Sequence, residues 1–193
     1  MTLIFASNNE HKIREIESIL GNSFKLLSLA DVNLNEDIPE NEPDLEGNAL
    51  SKARFIHNAT GINVFADDTG LEIDELDGAP GVHSARFAGE DKNSSNNIRK
   101  VLFMLGDTKN RRAMFRTVIA LIIDGREYLF EGTVKGSITS EVRGNEGFGY
   151  DPIFLPEGKN MTFAEMELAE KNTISHRARA FEKLRNFLND YER

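Results

Sequence analysis

The chain has 193 residues, 39% hydrophobic and 28% charged, values that suit an ordinary soluble globular protein and exclude disordered and fibrous classes. A formal charge of −9 argues against a surface for polymeric nucleic acid, which is held by clustered Lys and Arg, and leaves room for a small anion in a local basic pocket. The absence of cysteine excludes disulfides, thiolate nucleophiles and Cys-based zinc sites.

The N-terminal MTLIFASNN offers four apolar residues in a row, too few for a secretory signal. VIALII (118–123) falls far below the ~18 apolar residues of a membrane span, so a single cytoplasmic domain over 1–193 is expected, with no membrane partner. LIFA (3–6) reads as a strand, followed by a helix over 10–20 with Ile13, Ile16, Ile19 and Leu20 on one face and Gly21 as its stop. FKLLSL (24–29) reads as a second strand. The acidic, proline-broken stretch 31–44 is a loop, long enough to suggest a function. A helix over 45–60 follows, with Leu45, Ala49, Ala53 and Ile56 inward and Gly61 ending it. NVFA and LEIDEL then read as strands flanking the pair Asp67-Asp68, and DGAPG (77–81) as a turn. Ser94 or Ser95 is expected to cap a helix with Ile98, Val101, Leu102 and Leu105 inward. RTVIALII and REYLFEGTV form a hairpin through Asp124-Gly125, a pair that favours a type I′ turn. A glycine-rich loop (144–152) precedes a capping box of Thr162 and Glu165, and the last helix, about 176–191, buries Phe181, Leu184, Leu188 and Tyr191. Strands and helices alternate before the hairpin appears, so the fold class is α/β with a mixed sheet, parallel early and antiparallel late.

Four stretches could carry chemistry. SNNEHK (Ser7, Asn8, Asn9, Glu10, His11, Lys12) lies between the first strand and the first helix. There a parallel sheet places ligands, a helix N-terminus offers N–H groups to an anion, and Lys12 can add charge on phosphate. The alternative is that Ser7 and Glu10 only make a capping box. ADDTG puts two carboxylates, a hydroxyl and a glycine together, a set that suits Mg2+, or a general base for water, or a turn in which an Asp merely caps backbone N–H groups. Glu40 in the acidic loop is a candidate third acid. GFGYDP (147–152) offers glycines for close approach, Phe148 to stack on a base and Asp151 to accept from ring N–H groups, unless it is a bulged loop with a core Phe. KNTISHRARA places Lys171, His176 and Arg177 around the start of the last helix, where donors can read a keto oxygen or bind phosphate, or simply be solvated. Lys52 reads first as a surface lysine.

SNNEHK, ADDTGLEI with GAPGVHSARFAG, GFGYDPIF and KNTISHRARA occur in the order and spacing of the inosine triphosphate pyrophosphatases. The chain resembles this Ham1-like family of non-standard purine nucleoside triphosphate pyrophosphatases from Leu3 to the last helix. The resemblance implies an elongated mixed sheet flanked by helices, two lobes with an active cleft between them, and a homodimer. It implies hydrolysis of ITP, dITP and XTP to the monophosphate and pyrophosphate, with Mg2+ as cofactor. By the same resemblance Ser7 to Lys12 contact substrate and Asp68 is the metal-linked proton acceptor. Thr69 touches substrate, Glu40 is a metal-side acid with Glu42 and Glu46 as rivals, and Lys52 lies near the phosphates. Phe148, Gly149, Tyr150, Asp151, Lys171, His176 and Arg177 surround the base. Thr69 stands where many relatives have Ser, which keeps the hydroxyl. A nucleotide sensor with the same pocket would not need the base Asp68, and the Maf-like enzymes for modified nucleotides are disfavoured by the SHR and GFGYD motifs.

Overall fold

The computed structural model describes residues 2–20, 24–34, 38 and 40–191, with side chains throughout except at 17–20; the side chains of Ile19 and Leu20, expected on the inner face of the first helix, and Gly21, expected at its end, lie outside what is described. The strands are β1 (Thr2–Phe5), β2 (Lys25–Leu27), β3 (Val64–Ile73), β4 (Pro80–Gly81), β5 (Arg112–Ile123), β6 (Arg126–Ile138) and β7 (Phe154–Pro156). The helices are α1 (Glu10–Leu20), α2 (Leu45–Thr60), α3 (Ser94–Leu105), α4 (Leu168–Ile174) and α5 (His176–Tyr191). The strands make one sheet in the order β2-β1-β3-β5-β6-β7, with β4 also on β3. β1 is parallel to β2 and to β3, whereas β3–β4 and β6–β7 are antiparallel, so the sheet is mixed as expected. Asp124 and Gly125 join β5 to β6 with φ of 49° and 75°, the positive values a type I′ turn needs at both positions.

The chain divides into two compact units, one of residues 1–68, 117–132 and 177–193, the other of 69–116 and 133–176. In the first unit alternation along the strands sorts the side chains. Leu3, Phe5 and Phe65 join Ile16 of α1 and Phe181, Leu184 and Leu188 of α5 in one cluster, all buried. Phe65 meets Phe5 in a stack at 5.0 Å and Phe181 edge-on at 5.7 Å. Ile4, Val64 and Ala66 point to the opposite face and are fully buried. α2 begins where the Asp44 side chain accepts from the Gly47 N–H at 2.7 Å and ends at Gly61, whose φ of 68° suits glycine. Its expected inner residues, Leu45, Ala49, Ala53 and Ile56, are all buried. The second unit has its own core, in which Phe115 packs 4.6 Å from Phe154 and Leu71, Ile73, Val101 and Phe163 close around them.

Several expectations are corrected. ADDTG is no turn between strands: β3 runs unbroken through it, because both carboxylates find cationic partners and leave the backbone free to stay in the ladder. Asp74–Leu76, read as strand, is a 3-10 turn. β2 stops at Leu27, and another 3-10 turn, Ala30–Val32, opens the acidic loop. α3 is capped by Asn93, which accepts from the Asn96 N–H at 3.0 Å, rather than by Ser94 or Ser95. Ser7 and Glu10 make no capping box: Asn9 accepts from the His11 and Lys12 N–H groups, while Ser7 accepts from Asn9. Glu165 accepts from the Thr162 N–H at 2.8 Å as predicted, on a single 3-10 turn. Lys171 belongs to a separate short helix, α4. Tyr191 is 37% exposed, its hydroxyl donating to Asp124. Lys52 is no surface residue, being 6% exposed.

Candidate active site

β3 delivers Asp67 and Asp68 on successive residues, so their side chains leave the strand on opposite faces. The face shared with Phe65 turns Asp67 toward α1 and α5. There the Lys12 Nζ sits 3.0 and 2.8 Å from its two oxygens, and the Arg177 Nε lies 3.8 Å from Oδ2. Arg177 is itself paired with Glu15 of α1, and all of Glu15, Asp67 and Arg177 are buried. The other face turns Asp68 toward α2. Lys52 Nζ donates to Asp68 Oδ1 at 3.1 Å and to Glu40 Oε1 at 2.8 Å, and Asn48 Nδ2 donates to Asp68 Oδ2 at 3.1 Å. Of the three acids weighed in the loop and at the start of α2, Glu40 is the one that meets Lys52. The Asn48 Oδ1 accepts from the Glu42 N–H at 3.0 Å, which fastens that loop to the helix.

Burial and charge treat the two neighbours differently. Burial pushes the Asp67 carboxyl up, but Lys12, Arg177 and Lys52 outweigh it and hold the group below its ordinary value. Burial also pushes Asp68 up, and here it prevails over Lys52 and Lys12, aided by the like charge of Glu40. Burial pulls Lys52 down, yet Asp68, Glu40 and Asp67 together raise it. Lys12 ends below its ordinary value, because burial, with the Lys52 and Arg177 charges, overcomes Asp67. One face of β3 thus carries a carboxylate locked in its ionised form, the other a carboxylate whose affinity for a proton is enhanced, which is what a general base requires.

Asp68 and Glu40 direct hard oxygens at one ammonium, so they converge where a positive charge already sits. Among the described residues no group of three His, Cys, Asp or Glu side chains gathers to hold a metal. Two carboxylates suit a magnesium that keeps waters and takes its remaining oxygens from phosphate, rather than an all-protein cage. The donor chemistry fits that ion.

The second unit assembles a different cluster. Lys171, 2% exposed, donates from Nζ to Asp151 Oδ2 at 2.8 Å, and the same oxygen accepts from the Phe148 N–H at 2.9 Å. The ammonium lies 5.2 Å from the Phe148 ring centre and 5.6 Å from that of Phe163, within cation–π range. Gly147, at φ 74°, makes this possible, since a Cβ there would fall 2.1 Å from Asp151 Oδ2. Gly149 is also at positive φ, 61°. Tyr150 is buried, and its hydroxyl donates to the Ser84 carbonyl at 2.8 Å while burial raises its pKa. The His176 ring stacks on Phe115 at 4.5 Å and 14°. Thr69 follows Asp68 in β3, half-buried.

The structure thus gathers Lys12, Lys52, Asp68, Glu40 and Arg177 in the first unit, and Phe148, Tyr150, Asp151, Lys171 and His176 in the second. Ser7, Asn8 and Asn9 lead into α1, which opens with Glu10 and His11, and all five are partly or fully exposed. Sequence reasoning missed Asn48 and Glu15. The signal was available: each is a polar residue within a helix's inner stripe, Asn48 one turn before Lys52 and Glu15 one turn after Lys12.

The profile of the Ham1 family matches residues 3–187. The dITP/XTP pyrophosphatase of Porphyromonas gingivalis is 54% identical over 187 residues, 96% of each chain. That of Flavobacterium johnsoniae is 52% identical over 188 residues, covering 97% of this chain and 98% of its own. Among solved structures, the Staphylococcus aureus Ham1 protein superposes with a TM-score of 0.91 at 37% identity, over 99% of this chain and all of its own.

Proposed function

The chain belongs to the Ham1 family, and from that premise we propose that it is a nucleoside triphosphate pyrophosphatase hydrolysing the deaminated purine nucleotides ITP, dITP and XTP to the monophosphate and pyrophosphate. The observation that carries the reading is the convergence of Asp68 and Glu40 on Lys52, beside a Lys12 held by Asp67. A triphosphate brings about four negative charges to an acidic protein, and such a cluster supplies both cations and carboxylates that would hold a divalent metal.

In this reading Asp68 and Glu40 would hold Mg2+, which when bound would supply charge neutralisation on the phosphates and acidify water. Lys52 and Lys12 bind the phosphate oxygens and stabilise charge moving onto the leaving pyrophosphate. Asp68, its proton affinity raised by burial, takes the proton of the water that attacks the α-phosphorus as the bond to the bridging oxygen breaks. The segment Ser7 to His11 and Thr69 contact the substrate. Arg177, held by Glu15, keeps Asp67 ionised and so keeps Lys12 in place.

The base goes to the second cluster. Phe148 stacks on it, and Lys171, a donor only, meets the 6-oxo group of hypoxanthine or xanthine, with Gly149, Tyr150, Asp151 and His176 around it. The 6-amino group of adenine would set donor against donor at Lys171, so ATP is rejected. The reading extends to a homodimer and to a cytoplasmic location, for which sedimentation and cell fractionation are the measurements.

The experiment is turnover of ITP, XTP, dITP, GTP, ATP and dTTP with magnesium, separating pyrophosphate from orthophosphate. Pyrophosphate from the deaminated purines is expected. Orthophosphate as first product, or ATP cleaved as fast as ITP, refutes the proposal. Asp68→Asn should remove activity and keep the fold.

A further inference from the structure

We infer that Asn48 is a positioning residue for this hydrolysis, one that decides which oxygen of Asp68 faces the reaction and fastens the Glu40 loop in the same act. The inference rests on the pyrophosphatase reading above. Asn48 is 1% exposed on the inner face of α2, one turn before Lys52. An amide has one accepting and one donating end, and both are committed here. The backbone N–H of Glu42 can only donate, so it selects Oδ1, at 3.0 Å. Nδ2 is then turned to Asp68 Oδ2, at 3.1 Å, a carboxyl oxygen that accepts its hydrogen bond. A flipped amide would set donor against donor at one end and acceptor against acceptor at the other.

Two consequences follow for the acids. With Oδ2 of Asp68 occupied by the amide, Oδ1 is the oxygen left toward Lys52, and Glu40 Oε1 reaches the same ammonium at 2.8 Å. Glu42, whose N–H the amide holds, lies two residues beyond Glu40, so the loop that carries the second acid is tied down by the side chain that orients the first. A helix residue thus sets both carboxylates relative to one cation, the outer support that acids binding a metal need to keep their geometry.

The test uses Asn48→Leu, which keeps the branching at Cγ and is a good helix former, so that α2 itself is not broken. Ile56→Val, deep in the same helix and apart from the acids, serves as the control for mere loss of packing. For Asn48→Leu, kcat for ITP should fall about 10- to 100-fold and the magnesium concentration for half-maximal rate should rise, the range usual for removing a partner of a metal-binding carboxylate. A crystal structure of the variant should find the Asp68 carboxylate rotated. Ile56→Val should lower the melting temperature and leave the magnesium dependence unmoved. An unchanged kcat and magnesium dependence in Asn48→Leu, or an unrotated Asp68, overturns the inference. The two readings fail separately: a wild-type protein inert toward ITP defeats the pyrophosphatase proposal, whereas the Asp68 orientation in the variant judges Asn48 without any turnover.

Discussion

Replacing Lys52 by Met removes one ammonium and keeps most of the stem, so what changes is the charge balance around Asp68 and Glu40. At an effective dielectric of about 20, contacts of 2.8 and 3.1 Å each carry an attraction of about 5–6 kcal/mol. Much of that offsets the cost of taking the ammonium out of water, since its side chain is 8% exposed. What the substitution leaves is a pair of crowded carboxylates that have lost the ammonium between them, a situation that costs about 3–5 kcal/mol. For a chain of this length that corresponds to a melting temperature lower by roughly 6–20 °C. If the two oxygens form a cation site, magnesium should return part of the loss: at about 100 times its Kd a bound ligand contributes about 2.7 kcal/mol. The assay is thermal unfolding of wild type and Lys52→Met at pH 7.5, with chelator and with a magnesium series. Without metal the variant should melt well below wild type, and magnesium should narrow the gap. A variant melting within about 2 °C of wild type in chelator, or a gap that magnesium leaves untouched, would refute the reasoning.

The Asp67 carboxyl is held below its ordinary value of 3.8, so its ionisation adds stability that is fully present above that value and lost as pH falls through the lower folded one. The stability gap between wild type and Asp67→Asn should therefore be constant from pH 8 to about 5 and close in the acid range below 3.8; a gap that widened on acidification would reverse the sign assigned here. Gly147→Ala combines a φ of 74° with a Cβ 2.1 Å from Asp151 Oδ2, so KM for ITP should rise several-fold as the Lys171–Asp151 pair is displaced, with the rate at saturation affected less. Equal KM in steady-state kinetics would sever that loop from base recognition. Asn93→Ala removes the cap of α3 and should cost about 1 kcal/mol in urea unfolding with unaltered turnover.

Much of the architecture could be read in advance wherever pattern and punctuation agree. α2 came within its bounds because an apolar stripe at helical spacing ends on a glycine, and the β5–β6 hairpin because Asp-Gly admits few other conformations. α5 was found from Phe181, Leu184 and Leu188. The failures share a cause. Asp, Thr and Gly in ADDTG signal a turn when their side chains satisfy local backbone groups, but here the carboxylates are satisfied by Lys12 and Lys52, from 55 and 16 residues away in sequence. The same long-range pairing put Lys52 inside. Local propensity holds no information about a partner that distant, so the strand's continuity and the lysine's burial were hidden for one reason. Asn48 and Glu15 escaped because a polar residue in an inner stripe looks like noise until its partner is known.

The pleat of β3 acts as an electrical divider. Sending adjacent carboxylates up and down through the sheet gives each its own hydrogen-bonding lysine while both still feel both ammonium charges, and leaves one fixed in charge and one responsive. The arrangement is intolerant of frame errors. Deleting any single residue of the strand upstream of the pair would set Asp68 in the position that meets Lys12 and carry Thr69 into the position that meets Lys52, so this segment should accept substitutions far more readily than length changes.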